Sequence, residues 1–452
     1  MSVAEDWANR LQPVPPNPVD AYWESNSTDG RKGFVPPLLG RAAEELAHLR
    51  LGPDGGLWRY ESGVYIGDGD EWLADFVRSQ LGDEFRANRL REVNAYCRAN
   101  TSKKLPDDPS TEFINVKNGR LYWKATPPRL EAHSPEVPAL SQVPADWIPN
   151  SSCPAIIEFL ASVFPTDSAE HVQFVMEWIG YCLLPMARFK KALMLVGPTD
   201  TGKSTLLALI NRFLGAHSVS NFTLQQIAEN RFAVAGLYGK LANIAADLDA
   251  RNLSQTGMFK TITGGEDRVG AEKKYGDFFE YKPLVRLMFS ANDPPGTTDQ
   301  SSAYYNRWLM LPMTRTFTMH EKRISLLDEL TTPSEMSGLL WLALGGLKSL
   351  MARGHFAETK AMRTAHEDYR RRTDTVVAFV EENCVIEMDA HQHAGPLYED
   401  YKTWCGDSGR RPLGRQNFIE HLPASYPTVE YRKKLRGYPT WVGLRLRSGD
   451  EV

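Results

Sequence analysis

Apolar residues gather along this chain in short runs that end abruptly in polar or glycine-rich turns. KALMLVG (Lys191 to Gly197), KLANIAAD, LVRLMFSAN and RWLMLPM are each of strand length and almost continuously apolar. A strand buried on both faces predicts a mostly parallel sheet covered by helices, hence an α/β core. KSTLLALINRFLG follows the first run with helical spacing, and Gly215 stands where a helix would be capped. Upstream, LWRYESGVYI alternates like a strand, EWLADFVRSQLG has helical spacing, and FINVKNGRLYW reads as two strands joined at Asn118-Gly119, a favoured hairpin pair. SGLLWLALGGLKSLM, from Ser337 to Met351, reads as a buried helix, because crossing a bilayer takes about 20 apolar residues.

Breaks in this pattern predict the domains. Pro-rich LQPVPPNPVD lies in a leader over 1–33, TSKKLPDDPSTE is a polar linker inside an α/β module over 34–150, and helices resume near Pro154. The core occupies 151–350, a helical linker 351–372, and a unit of short helices and a basic hairpin 373–452. No repeat of fixed period is present.

Composition narrows the function. With 42% hydrophobic and 24% charged residues the 452-residue chain is an ordinary folded protein. Its net charge of −4 argues against coating nucleic acid with the whole surface. The basic surplus is local: Gly409 to Arg447 holds nine Lys or Arg against Glu420 and Glu430. Five scattered cysteines without metal spacing suggest a reducing compartment and no zinc site. His366, His391 and His393 read as surface residues, and the run Arg370 to Arg372 as a solvated helix face. An N-terminus without a basic and apolar leader gives no sign of export, so cytoplasmic location is expected.

VGPTDTGKST carries the clearest chemistry. Gly197, Pro198, Thr199, Asp200, Thr201, Gly202, Lys203, Ser204 and Thr205 match the eight-residue G-x-x-x-x-G-K-S pattern plus one residue, between a predicted strand and a predicted helix. Backbone N–H groups of such a loop converge on phosphate oxygens, Lys203 would neutralise β- and γ-phosphates, and Ser204 supplies a hydroxyl for Mg²⁺. ATP and Mg²⁺ are therefore the expected cofactors. LANIAADLD delivers Asp247 to the metal and Asp249 to the attacking water, although Asp249 equally suits the cap of a following helix. Asn292, ending LVRLMFSAN, either orients that water or is a turn residue. RVGAEKKYGDFFEY (268–281) reads as a hairpin whose tip holds Lys273, Lys274 and Tyr275, a DNA-contacting set or merely an exposed charged turn.

The order of these motifs, VGPTDTGKST, LANIAADLD, FKTITGGEDRVGAEKKYGDFFEYKP, LMFSANDPPGTTD and NRWLMLPM, resembles superfamily 3 helicases of the phage and plasmid primase-helicase group, related to the poxvirus replication helicase. LWRYESGVYI, EVNAYC, FINVKNGRLYW, SSCP and LYEDYKTWCGDSGRRPLGRQNF extend the resemblance over most of the chain. It implies an AAA+ type P-loop ATPase core, with a poxvirus-type N-terminal module and a C-terminal winged-helix-like DNA-binding unit. It also implies a hexameric homo-oligomeric ring travelling 3′ to 5′ on single-stranded DNA in a bacterial host cytoplasm, for replication of a phage, plasmid or integrated element. Arg307 would reach a neighbour's γ-phosphate, with Asn306 replacing the first of the family's usual arginine pair; a structural arginine paired to a surface carboxylate is the alternative. No primase domain is expected ahead of the module, so a separate primase and other replication proteins would be partners, and no membrane. A ring-forming origin-binding ATPase is the runner-up reading, and a small-molecule kinase leaves the basic hairpin unexplained.

Overall fold

The computed structural model describes residues 19–25, 32–99, 104–246, 248, 255–274, 276–297, 299, 301–410, 412–435 and 437–447. Its centre is a five-stranded, all-parallel sheet built from β1 (Ala192–Val196), β2 (Val219–Ser220), β3 (Ala242–Ala245), β4 (Arg286–Ala291) and β5 (Trp308–Pro312), in the order β2-β3-β4-β1-β5. The continuous apolar runs follow from this placement. Leu193, Leu195, Leu309 and Leu311 face one core, shared with helices Pro154–Val163, Ser168–Cys182, Pro333–Arg353 and α1 (Lys203–Leu214). Met194, Leu287, Phe289, Trp308 and Met310 face a second core on the other side, so neither face meets water. The helix predicted around Ser337 to Met351 is buried along one face, with Gly345, Lys348 and Ser349 exposed, and it crosses Ser168–Cys182 closely because Gly180 and Gly346 have no side chains to hold the backbones apart. No helix of the described residues is long and apolar enough to cross a membrane.

Small antiparallel sheets and helices precede this core. LWRYESGVYI forms two strands rather than one, Leu57–Glu61 and Val64–Ile66, because Ser62 and Gly63 both take positive φ (49° and 96°) and reverse the chain. The hairpin expected at Asn118-Gly119 joins Ile114–Val116 to Gly119–Tyr122. After the core come helix Lys360–Thr373, helix Thr375–Asn383, strand Cys384–His393, helices Ala394–Asp407 and Arg415–Ser425, and strands Glu430–Leu435 and Tyr438–Leu446. These last elements pack a core of their own around Trp441, Phe418 and Tyr401, in a winged-helix-like arrangement.

Two expectations need correction. Arg370 is not a solvated residue: it lies 3.6 Å from the wholly buried Asp374 carboxylate and donates to Ser425 Oγ at 3.0 Å. Arg371 and Arg372 are exposed as expected, and there they pair with Glu381 and Asp293. His391 and His393 are exposed, whereas His366 is half-buried with its ring 2.9 Å from the Tyr305 carbonyl.

Candidate nucleotide and nucleic-acid sites

The phosphate loop leaves the carboxyl end of β1 and enters α1. Two neighbouring strands pin its start: Gly197 N donates to Ala291 O at 3.3 Å, and Met313 N donates to Val196 O at 2.7 Å. A Cβ on Gly197 would stand 2.0 Å from the Met313 carbonyl oxygen, so a bare backbone is required there. Asp200 and Gly202 both take positive φ (62° and 89°), and Gly202 gives α1 no side-chain cap. The N–H groups of the first turn are therefore left for an anion, beside the positive end of the helix dipole.

Lys203 is buried within this curve. Its ammonium donates to Gly197 O at 2.7 Å, Pro198 O at 2.5 Å and Thr201 Oγ1 at 3.4 Å. Thr201 in turn donates to Pro198 O, whereas Ser204 is exposed at the start of α1, with Thr205 half-buried behind it. These contacts hold the ammonium inside the curve of the loop, where an anion entering the loop would meet it. Donors, cation and exposed hydroxyl thus fit the triphosphate and metal expected from the motif.

Asn292 is exposed immediately after β4, one residue past the Ala291 carbonyl that accepts from Gly197. The fold therefore brings it beside the loop. Asp247 and Asp249 lie outside the described residues; β3 ends at Ala245, and Leu248 N donating to Ser290 O at 2.7 Å continues its pairing with β4.

Sequence reasoning missed the braces on the far side of the loop. Phe317 N donates to Asp200 O at 2.8 Å, and Lys322 pairs with the Asp200 carboxylate at 2.8 Å. Arg315 donates to Ser162 O at 2.7 Å, pairs with Glu321 at 2.6 Å and stacks 4.2 Å over Phe317. These contacts tie the chain after β5 to the loop and to helix Pro154–Val163. No local motif announces the bonds to Asp200 and Ser162, which join segments distant in sequence.

Arg307 sits elsewhere. Its backbone carbonyl accepts from Ala192 N at 2.7 Å, which places it at the amino end of β5, opposite the end of the sheet that carries the loop. Its guanidinium donates to Thr263 Oγ1 at 2.9 Å and to the Ala303 carbonyl. Burial lowers its pKa, and Asp299 acts against that. Asp299 itself anchors a cluster: it accepts from Lys260 Nζ at 2.8 Å, from Ser301 Oγ at 2.6 Å and from Thr256 Oγ1. Burial pushes its carboxyl up, but these donors outweigh that and hold it at about 2.

The predicted basic hairpin is present, Val269–Glu272 paired antiparallel with Phe278–Tyr281. Lys274 is exposed and Tyr275 lies outside the described residues. Lys273 has a protein partner: its ammonium meets Oδ2 of Asp54, a side chain wholly buried in the N-terminal part of the chain, and lies 5.9 Å from the Trp58 ring. Asp54 Oδ1 accepts from Trp58 Nε1 and from Gly56 N, each at 3.2 Å. Tyr238 completes the joint, with its ring edge-on to Trp58 at 5.6 Å and to Tyr281 at 5.3 Å. Alternation explains the arrangement: Val269, Ala271, Phe279 and Tyr281 turn inward, while Phe278 is 63% exposed.

Residues 195–307 match a family of unknown function, DUF5906, and residues 371–438 match the family described as poxvirus D5 protein-like. A putative helicase, 121R, of Invertebrate iridescent virus 3 is 22% identical over 329 residues, 63% of this chain. The chain spans about a third of that relative's length, 34%. Two solved apo structures of the NrS-1 C-terminal region align with 91% of this chain and with 99% and 100% of their own, at 12% and 13% identity and a TM-score of 0.48. The chain is thus similar to poxvirus D5-like proteins over its C-terminal segment and to a putative viral helicase over a longer stretch.

Proposed function

We propose that the chain is an ATP- and Mg²⁺-dependent DNA helicase acting in replication of a phage, plasmid or integrated element. The observation that carries this reading is Lys203 buried inside a loop whose N–H groups and exposed Ser204 sit at the carboxyl edge of a parallel sheet, with Asn292 alongside. The metal, when bound, would supply positive charge against the charge that develops on the phosphate oxygens. Ser204 and Asp247 would hold the metal, Lys203 would hold the phosphates, and Asn292 with Asp249 would orient water. Arg307 would serve a neighbouring subunit's site in a superfamily 3 type hexameric ring travelling 3′ to 5′ on single-stranded DNA, gripped by the hairpin through Lys274 and Tyr275, while Lys273, which the sequence groups with them, holds the turn on Asp54. A separate primase would supply primers, and the expected setting is the bacterial host cytoplasm.

One observation favours a second reading. The C-terminal unit carries a basic hairpin on which Lys433 and Lys434 are exposed, suited to holding duplex backbone without reading sequence. An origin-binding or remodelling ATPase would use that surface without processive unwinding. ATP hydrolysis with and without single-stranded DNA, coupled to displacement of a labelled strand bearing a 3′ or a 5′ tail, separates the two. Release that needs ATP and a 3′ tail supports the helicase. Hydrolysis without release from either substrate supports the origin-binding ATPase, and no nucleotide turnover would overturn both.

A further inference from the structure

Phe278 is one of several large apolar side chains left exposed among the described residues, and it stands on the basic hairpin. A large aromatic at 63% exposure forfeits the burial that normally accounts for such a side chain, and its strand neighbours Phe279 and Tyr281 are both buried. Its environment is also specific. Phe278 is paired in register with Glu272, and across the hairpin lies Gly270: a Cβ added there would come within 2.7 Å of Phe278 Cζ. The ring thus lies over bare backbone, supported from beneath and open above. A side chain at 270 would lift it away.

The charges around the ring select what can approach. Lys274 is exposed in the adjoining turn. Glu272 is neutralised by Arg231 at 3.0 Å, and Arg231 also lies 5.7 Å over the ring of Phe232, itself 42% exposed. Glu280 shares the outer face of the strand with Phe278. A carboxylate on that side turns a polyanionic backbone towards the lysine end of the hairpin and leaves a neutral, flat group to meet the ring. Lys273, bound to Asp54, fixes the turn so that the outer face keeps one orientation.

We propose that Phe278 is a stacking platform for an unpaired nucleobase, with the strand's phosphates lying towards Lys274. This rests on reading the hairpin as a single-strand grip and adds the residue that would contact the bases. Every base has a π-face, so the contact would be independent of sequence.

The test uses the full chain, a short labelled oligothymidylate and an abasic phosphodiester oligomer of equal length. Phe278→Ala should weaken oligothymidylate binding by roughly 5- to 100-fold, the range for losing one base–aromatic stack. Abasic binding should not change, and Phe278→Trp should retain affinity and lose tryptophan emission on binding. The exposed position means that Phe278→Ala should fold, and an unchanged thermal midpoint would check this. An equal loss on both oligomers, or no loss on either, overturns the stacking role while leaving the ATPase reading intact. If the unmodified chain binds neither oligomer, the nucleic-acid reading of the hairpin fails, and the platform with it.

Discussion

At the scale of single residues, Lys203 and Asp299 show how the same physics is legible in one place and hidden in another. The phosphate loop was readable because all its parts are local: glycines at fixed spacing, a lysine, a hydroxyl, a strand before and a helix after. Removing the ammonium in Lys203→Ala takes away the loop's cation, and ATP turnover should fall at least about a hundredfold, in the range for losing a preorganised charge in phosphoryl transfer. Steady-state hydrolysis at saturating ATP checks this, and surviving turnover would move the active site elsewhere. Asp299 had no such signature, since its partners Thr256 and Lys260 come from another segment. Its carboxyl is held near 2 in the folded chain, below the roughly 3.9 of a free aspartate. Such a depressed group adds stability that is fully present above about pH 4 and is lost as pH falls towards about 2. Acid unfolding followed by circular dichroism should therefore be less steep for Asp299→Asn than for the unmodified chain across that window. Superimposable slopes would mean that the folded carboxyl titrates normally.

At the scale of elements, alternation and turn chemistry were sufficient to find the hairpin but not what it leans on. The period of two in FFEY already required one phenylalanine to face outward, a signal that would have found Phe278. Nothing near Lys273 pointed to Asp54, because the contact joins the hairpin to a turn far upstream in the chain. The wholly buried carboxylate needs a counter-charge, and Lys273 supplies it. Truncating the lysine leaves a buried charge unpaired, whereas Asp54→Asn removes the charge and retains an oxygen for the bonds from Trp58 and Gly56. Lys273→Ala should therefore cost about 1–3 kcal/mol, discounted for the lysine's partial exposure, and Asp54→Asn clearly less. Urea midpoints of both variants give the comparison. If Asp54→Asn is the more damaging, the carboxylate matters for its hydrogen bonds rather than for the ion pair. The hairpin's amides should also exchange faster in Lys273→Ala, since the tie at its tip would be gone.

At the scale of the whole molecule, the sheet's polarity decides how far one chain can complete its own site. All five strands are parallel, with the phosphate loop at the carboxyl edge. Arg307 lies beside Ala192 at the amino edge. About five residues of strand separate the two, roughly 16 Å along β1, and the guanidinium bonds to Thr263 and Ala303 rather than turning towards the loop. An arginine so placed can act in hydrolysis only on another copy's nucleotide, which requires a head-to-tail interface. Sequence order alone suggested the role by resemblance; the sheet's direction supplies the physical reason that it would have to act in trans. This gives a complementation test. Lys203→Ala and Arg307→Ala should each be inactive alone. In a mixture, a junction between an intact loop from an Arg307→Ala copy and an intact arginine from a Lys203→Ala copy is complete. For equal, random mixing of independent sites about a quarter of junctions qualify, so ATP turnover should recover to about a quarter of that of the unmodified chain. Cooperation among neighbouring sites would lower that fraction without abolishing it. A mixture that stays as inactive as its components, while still co-assembling by tagged pull-down, would remove Arg307 from the reaction and return it to a purely structural bond between Thr263 and Ala303.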